Sequence, residues 1–183
     1  MDLFHLLLGL LFGLVLYRLM RRLDVDPTLS FGAAALFMLS PATLLYENYA
    51  YYTYPSAVLL CLCAFLFART VCRFTPASAF ALFMAMAALI SLRALFQIEW
   101  FLALTAFSLW VLPGQRRRVL LAASLPLLLL AALYAKNLAI TGQFSTSSWL
   151  GMSLSKLTTM KLPETERHDL VQAGRLSPLA LQE

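Results

Sequence analysis

The stretch LLYENYAYYTYPS, residues 44–56, holds Glu47 and Asn48 among five of the chain's seven tyrosines. A carboxylate, an amide and phenol rings are the groups that hold a hydroxylated ligand: rings stack on a sugar face while the polar groups bond its hydroxyls. Tyr51 and Tyr54 are the candidate ring contacts, and Glu47 and Asn48 the candidate hydrogen-bonding partners. The plain alternative for the tyrosines is an aromatic belt, because tyrosine concentrates where a membrane meets water. A belt does not account for Glu47 and Asn48, which are costly at that boundary unless hydrated or paired.

A second set lies in LRALFQIEW, residues 92–100, with Arg93, Gln97, Glu99 and Trp100. Two readings of Arg93 are open. It can pair with Glu99 or snorkel to a lipid phosphate, or its guanidinium can grip a ligand phosphate by two parallel hydrogen bonds, which lysine cannot imitate. Lys136 is a candidate second cation, set against a simple role as a helix-end charge favoured by the dipole. In KNLAITGQFSTSSWLGMSL, residues 136–154, Trp149 is a candidate sugar-stacking ring or a residue that docks the loop on the bundle. Nothing points to a metal or other cofactor. Cys61 and Cys63 are two apart, which on a helix sends them to nearly opposite faces, and His5 and His168 stand at opposite ends of the chain.

The elements that must position these groups are membrane helices. The chain has 183 residues, 61% hydrophobic and 13% charged, with a mean hydropathy of +0.78. A soluble domain carries about 25% charged residues. The fold class is all-α, a multi-pass transmembrane bundle of six segments near 3–20, 31–46, 55–68, 78–92, 98–112 and 119–135, with a short polar tail. The basic balance (14 Lys+Arg against 9 Asp+Glu) reports topology rather than nucleic-acid binding, since no interleaved basic and aromatic face is visible.

Arg18, Arg21 and Arg22 follow segment one, Arg69 and Arg73 follow segment three, and Arg116, Arg117 and Arg118 follow segment five. Arginine-rich loops are cytoplasmic. Residues 1–135 then form the bundle and 136–183 an extracytoplasmic tail, in which 164–173 can form a short amphipathic helix that lies at the outer surface. This topology puts the amino terminus outside, yet MDLFHLLLG lacks the basic region and cleavage site of a signal peptide. A fragment of a longer protein is expected on that ground. Pro41 and Pro126 are expected to kink their helices, and Gly9 and Gly13 to allow close helix packing.

LSPATLLYENYAYYTYPSAVLLCLCAFLFAR resembles the middle helices of the GT-C glycosyltransferases, in the bacterial group related to lipid-A sugar transferases and protein mannosyltransferases. LRALFQIEWF is similar to the outward arginine-containing turn of those proteins, and KNLAITGQFSTSSWLGMSL to the segment entering an external loop. The resemblance implies a helix bundle in the bacterial plasma membrane that takes sugar from a polyprenyl-phosphate donor and passes it to a glycan, lipid or protein acceptor on the outer face. It also implies a catalytic acid in an external loop between the first two helices of the family. No such loop occurs before segment one, where Asp2 is the only acid, so the loop is expected upstream of Met1. The resemblance makes Arg93 and Lys136 candidates for the donor phosphate and Glu47 a candidate sugar contact. The alternative function is a non-catalytic membrane module that carries, flips or scaffolds a lipid-linked glycan.

Overall fold

The computed structural model describes residues 3–48, 52–93, 95–142, 144–146 and 161–176, with Glu47, Asn48 and Thr141 described by backbone alone. Among these every regular element is helical: α1 Leu3–Arg22, α2 Pro27–Met38, α3 Pro41–Asn48, α4 Thr53–Cys72, α5 Pro76–Leu92, α6 Ile98–Val111, a 3-10 turn Pro113–Gln115, α7 Arg116–Thr141 and α8 Glu164–Gln172. The all-α bundle expected from the sequence is the fold observed. Among the described residues three helices are long and apolar enough to cross a membrane: α1, α4, and α7 with its preceding turn. The chain is an integral membrane protein. The apolar helices α2, α5 and α6 have 12, 17 and 14 residues, or about 18, 25 and 21 Å at about 1.5 Å per residue, against a hydrocarbon core of about 30 Å.

Local chemistry fixes where the helices begin. Pro27 opens α2, and the Asp26 carboxylate accepts from Thr28 N (2.8 Å) and Leu29 N (3.3 Å). Both features satisfy or remove orphan N–H groups at a helix start. Pro76 opens α5 behind a capping box in which Thr75 Oγ1 accepts from Ser78 N (3.1 Å) and Ser78 Oγ accepts from Thr75 N (3.3 Å).

The segment expected over 31–46 is two helices. α2 stops at Met38, and Pro41 starts α3 with Ser40 Oγ accepting from Thr43 N (3.3 Å). Proline has no N–H to bond backward and disfavours helical geometry at the residue before it, so a break replaces the expected kink. Pro126, by contrast, lies inside an unbroken α7.

Helix α5 is the centre of the bundle, packed between α4 and α7. Ala79, Leu82, Phe83, Leu89 and Ile90 are all within 1% of full burial. Between membrane helices the gain comes from close packing rather than expelled water, and the ring pairs Phe83–Phe101 and Phe67–Phe107 (5.4 and 5.6 Å between centroids) tie α6 into the same core. On the far side α1 packs on α4, with α2 against α1. Phe12 meets Tyr54 at 5.9 Å and Arg22 lies over the Phe65 ring at 5.5 Å, so α1 and α4 run in the same direction.

The connections then sort the charges. The hairpin from α4 to α5 puts Arg69 and Arg73 beside the end of α1 that carries Arg18, Arg21 and Arg22. The turn from α6 to α7 brings Arg116, Arg117 and Arg118 to that same basic end. Arg93 and Lys136 stand at the opposite end. α8 shares no extended contact with the bundle among the described residues.

Thr70 and Ser78 are buried where α4 and α5 meet, and the Thr70 hydroxyl donates to Ser78 Oγ (3.2 Å), which itself donates to Thr75 O (2.9 Å). Ser78→Ala removes the box and strands the Thr70 hydroxyl, for an expected loss of about 1–2 kcal/mol. Ser124 is exposed and bonds only its own helix, so Ser124→Ala is expected to change little. Reversible unfolding in mixed micelles compares the two.

Candidate functional site

The end of α5 sets the position of Arg93. Its N–H donates to Leu89 O (3.1 Å) as the helix closes, while its own backbone is extended at φ −132°, ψ 119°. Phe96 N then bonds Arg93 O (3.0 Å), which turns the chain toward α6. The guanidinium is half-buried and lies 5.8 Å from the centre of the Tyr52 ring, a cation–π contact with the residue that precedes α4. No ion pair joins Arg93 to Glu99, and no protein acceptor takes the guanidinium N–H groups among the described residues. Glu99 is exposed in the first turn of α6, where the helix dipole favours a negative charge.

Helix α6 has no cap from its own sequence neighbours. Gln97 precedes it without a side-chain cap bond. The cap comes from α7: the Tyr134 hydroxyl accepts the Ile98 N–H (3.0 Å) and donates to Gln97 Oε1 (2.8 Å). Tyr134 is 1% exposed, and a buried phenol needs such a partner. Glu99 is also close enough to act electrostatically on this hydroxyl.

Beyond α7 the chain folds back over the same group. Gly142 is left-handed at φ 71°, a conformation that glycine takes without the Cβ clash other residues meet, and its N–H donates to Leu138 O (2.9 Å). The turn lays the Phe144 ring 4.9 Å from Tyr134, and Asn137 Nδ2 donates to the carbonyls of Ser145 (2.8 Å) and Thr146 (3.0 Å).

Of the residues singled out from the sequence, Arg93, Glu99 and Lys136 share this end, and Lys136 is exposed on α7. Tyr54 is packed in the core against Phe12 and Val58 at 3% exposure. Glu47 and Asn48 end α3, with their side chains outside the described set; Tyr51 and Trp149 lie outside the described residues. Sequence reasoning missed Tyr52, Tyr134 and the clamp by Asn137. A lone tyrosine in LLLLAALYAKN was the available signal for Tyr134. No group of three His, Cys, Asp or Glu side chains suited to a metal occurs among the described residues.

The assembly is thus a cation held by a ring, a carboxylate in the first turn of α6, and a tyrosine that locks the start of that helix. Comparison with family models, curated proteins and solved structures finds no match to this chain.

Tyr134→Phe keeps the ring and removes both bonds. It is expected to cost about 1–3 kcal/mol, the range for a buried polar group left unsatisfied. Amide exchange at Ile98 is expected to accelerate in that variant, which separates loss of the cap from general loosening.

Proposed function

We propose that this chain is part of a GT-C-type membrane glycosyltransferase whose Arg93 binds the phosphate of a polyprenyl-phosphate sugar donor. The observation that carries the reading is the state of Arg93: a half-buried arginine at the end of α5, against a tyrosine ring, with no carboxylate paired to it among the described residues. A guanidinium near membrane depth is costly unless a counter-ion meets it, and the described side chains offer Arg93 none. A lipid phosphate offers the bidentate partner it lacks.

The chain's sidedness agrees with this chemistry. With arginines 18, 21, 22, 69, 73 and 116–118 at one end, that end is cytoplasmic by the positive-inside rule. The Arg93 end and the segment after α7 then face outward, in a bacterial plasma membrane under this reading. Departure of the donor leaves negative charge on the phosphate, which a fixed cation stabilises. Lys136 supplies a second charge at the same end. Transfer also needs a carboxylate that takes the acceptor proton, a role the resemblance gives to an acid in an external loop between the family's first two helices. The acceptor is a glycan, lipid or protein.

One observation favours the second reading, a module that carries or scaffolds the lipid-linked glycan. Among the described side chains of the bundle, Glu99 is the only carboxylate at the Arg93 end. Binding without transfer needs no more than the cation and the rings.

Retention of undecaprenyl phosphate by the purified chain, titrated in micelles and read by native mass spectrometry, tests the shared premise. Arg93→Ala is expected to weaken retention by about tenfold or more, equivalent to about 1.4 kcal/mol. Arg93→Lys is expected to recover part of it, because lysine keeps the charge without the paired geometry. Equal retention by wild type and Arg93→Ala, with unchanged melting, would exclude the assignment.

A further inference from the structure

Helices α4 and α5 form a hairpin, so the start of α4 stands beside the end of α5. Tyr52 and Arg93 occupy those two places, one just before α4 and one just after α5. Both backbones are fixed. Tyr52 O accepts from Ser56 N (3.0 Å) and from Ser56 Oγ (2.6 Å), and Ser56 is itself buried. Pro55 lies in this first turn, where a missing N–H costs nothing. Arg93 follows the fully buried Leu89 and Ile90, and its N–H and carbonyl are both bonded, to Leu89 O and Phe96 N.

The side chains are less constrained than their roots. The Tyr52 ring is 40% exposed, outside the core that takes Tyr54 two residues later. An arginine side chain has many rotamers, and an anion that orders it must overcome that entropy. A ring already 5.8 Å from the guanidinium carbon removes part of the cost before the anion arrives. The ring does not compete for the anion. A cation meets a ring over the ring's π face, whereas a phosphate takes the N–H groups along the guanidinium edge. Both partners can therefore hold the same arginine at once.

We infer that Tyr52 is the positioning residue for Arg93: through its ring, the start of α4 holds the guanidinium where a phosphate can be gripped, and so sets the anion affinity of this end. This role rests on the reading of Arg93 as the donor-phosphate ligand. It belongs to the ring and not to the phenol hydroxyl, and every effect of Tyr52 on the anion passes through Arg93. A tyrosine that merely seats the first turn of α4 would act in the same way whatever residue stood at position 93. The two roles differ in what they couple, and that difference can be measured.

The test is a double-mutant cycle on the whole chain in micelles, with undecaprenyl phosphate titrated and its retention read by native mass spectrometry. Tyr52→Leu is expected to weaken retention by about threefold or more, and Tyr52→Phe to leave it within about twofold of wild type. In an Arg93→Ala background, Tyr52→Leu is expected to change nothing further. If Arg93→Ala weakens retention and Tyr52→Leu does not, the positioning role falls while the donor reading stands. If Arg93→Ala has no effect, the donor reading fails and the role fails with it. An equal loss from Tyr52→Leu with and without Arg93 overturns the role, as does a loss in Tyr52→Phe as large as in Tyr52→Leu. Should Tyr52→Leu fail to fold, Tyr52→Trp decides. Indole holds a cation more strongly than phenol, so tighter retention is expected, and unchanged or weaker retention overturns the role.

Discussion

Backbone N–H and C=O groups that enter hydrocarbon must find partners within the protein, and everything else in this bundle answers to that constraint. Within a helix the partners are automatic; at the ends they are not. The basic-end starts of α2 and α5 meet the need from adjacent sequence, through Asp26 and through the Thr75–Ser78 box. The start of α6 has no such neighbour. It borrows the Tyr134 hydroxyl from another helix, 36 residues away in sequence. That one bond joins the position of the Arg93 turn to the packing of α7 on α5, so the polar end of the molecule is only as well placed as its apolar centre.

The centre is built to be unresponsive. Small residues Ala79, Ala85 and Ala87 interleave with Leu82, Phe83 and Ile90 on α5, and all are buried. Small side chains let helices approach closely, which is where membrane packing gains its energy. The buried hydroxyl contact that joins α4 to α5, Thr70 to Ser78, lies at their basic end. Between the ends, the hydroxyls of Thr105 and Ser108 bond carbonyls of their own helix.

Much of this was legible in the sequence, and the failures have distinct causes. Apolar runs gave the helices α1, α4, α5, α6 and α7 because length and composition alone define them. The division of 31–46 was hidden because the apolar run continues through Leu39 while the backbone does not. The tyrosine cluster was misjudged in detail for want of helical phase. Helix α4 begins at Thr53, so Tyr54 and Val58 fall on the face toward Phe12, whereas Tyr52, one residue before the helix, reaches Arg93. A shift of two residues separates a core ring from a site ring. The role of Tyr134 could not be read from its neighbours, since its partners belong to another helix.

Helices α6 and α7 are adjacent and unequal. α7 has 26 residues and α6 has 14, about 39 against 21 Å along their axes. Tyr134 meets the start of α6 with seven residues of α7 still to come, so the Arg93 turn lies about 10 Å short of the end of α7. Lipids beside that turn face a protein thinner than their own relaxed bilayer. A short helix beside a long one is a mismatch that a bilayer relieves by thinning and flanking side chains by snorkelling, so thinner membranes would accommodate α6 at lower cost.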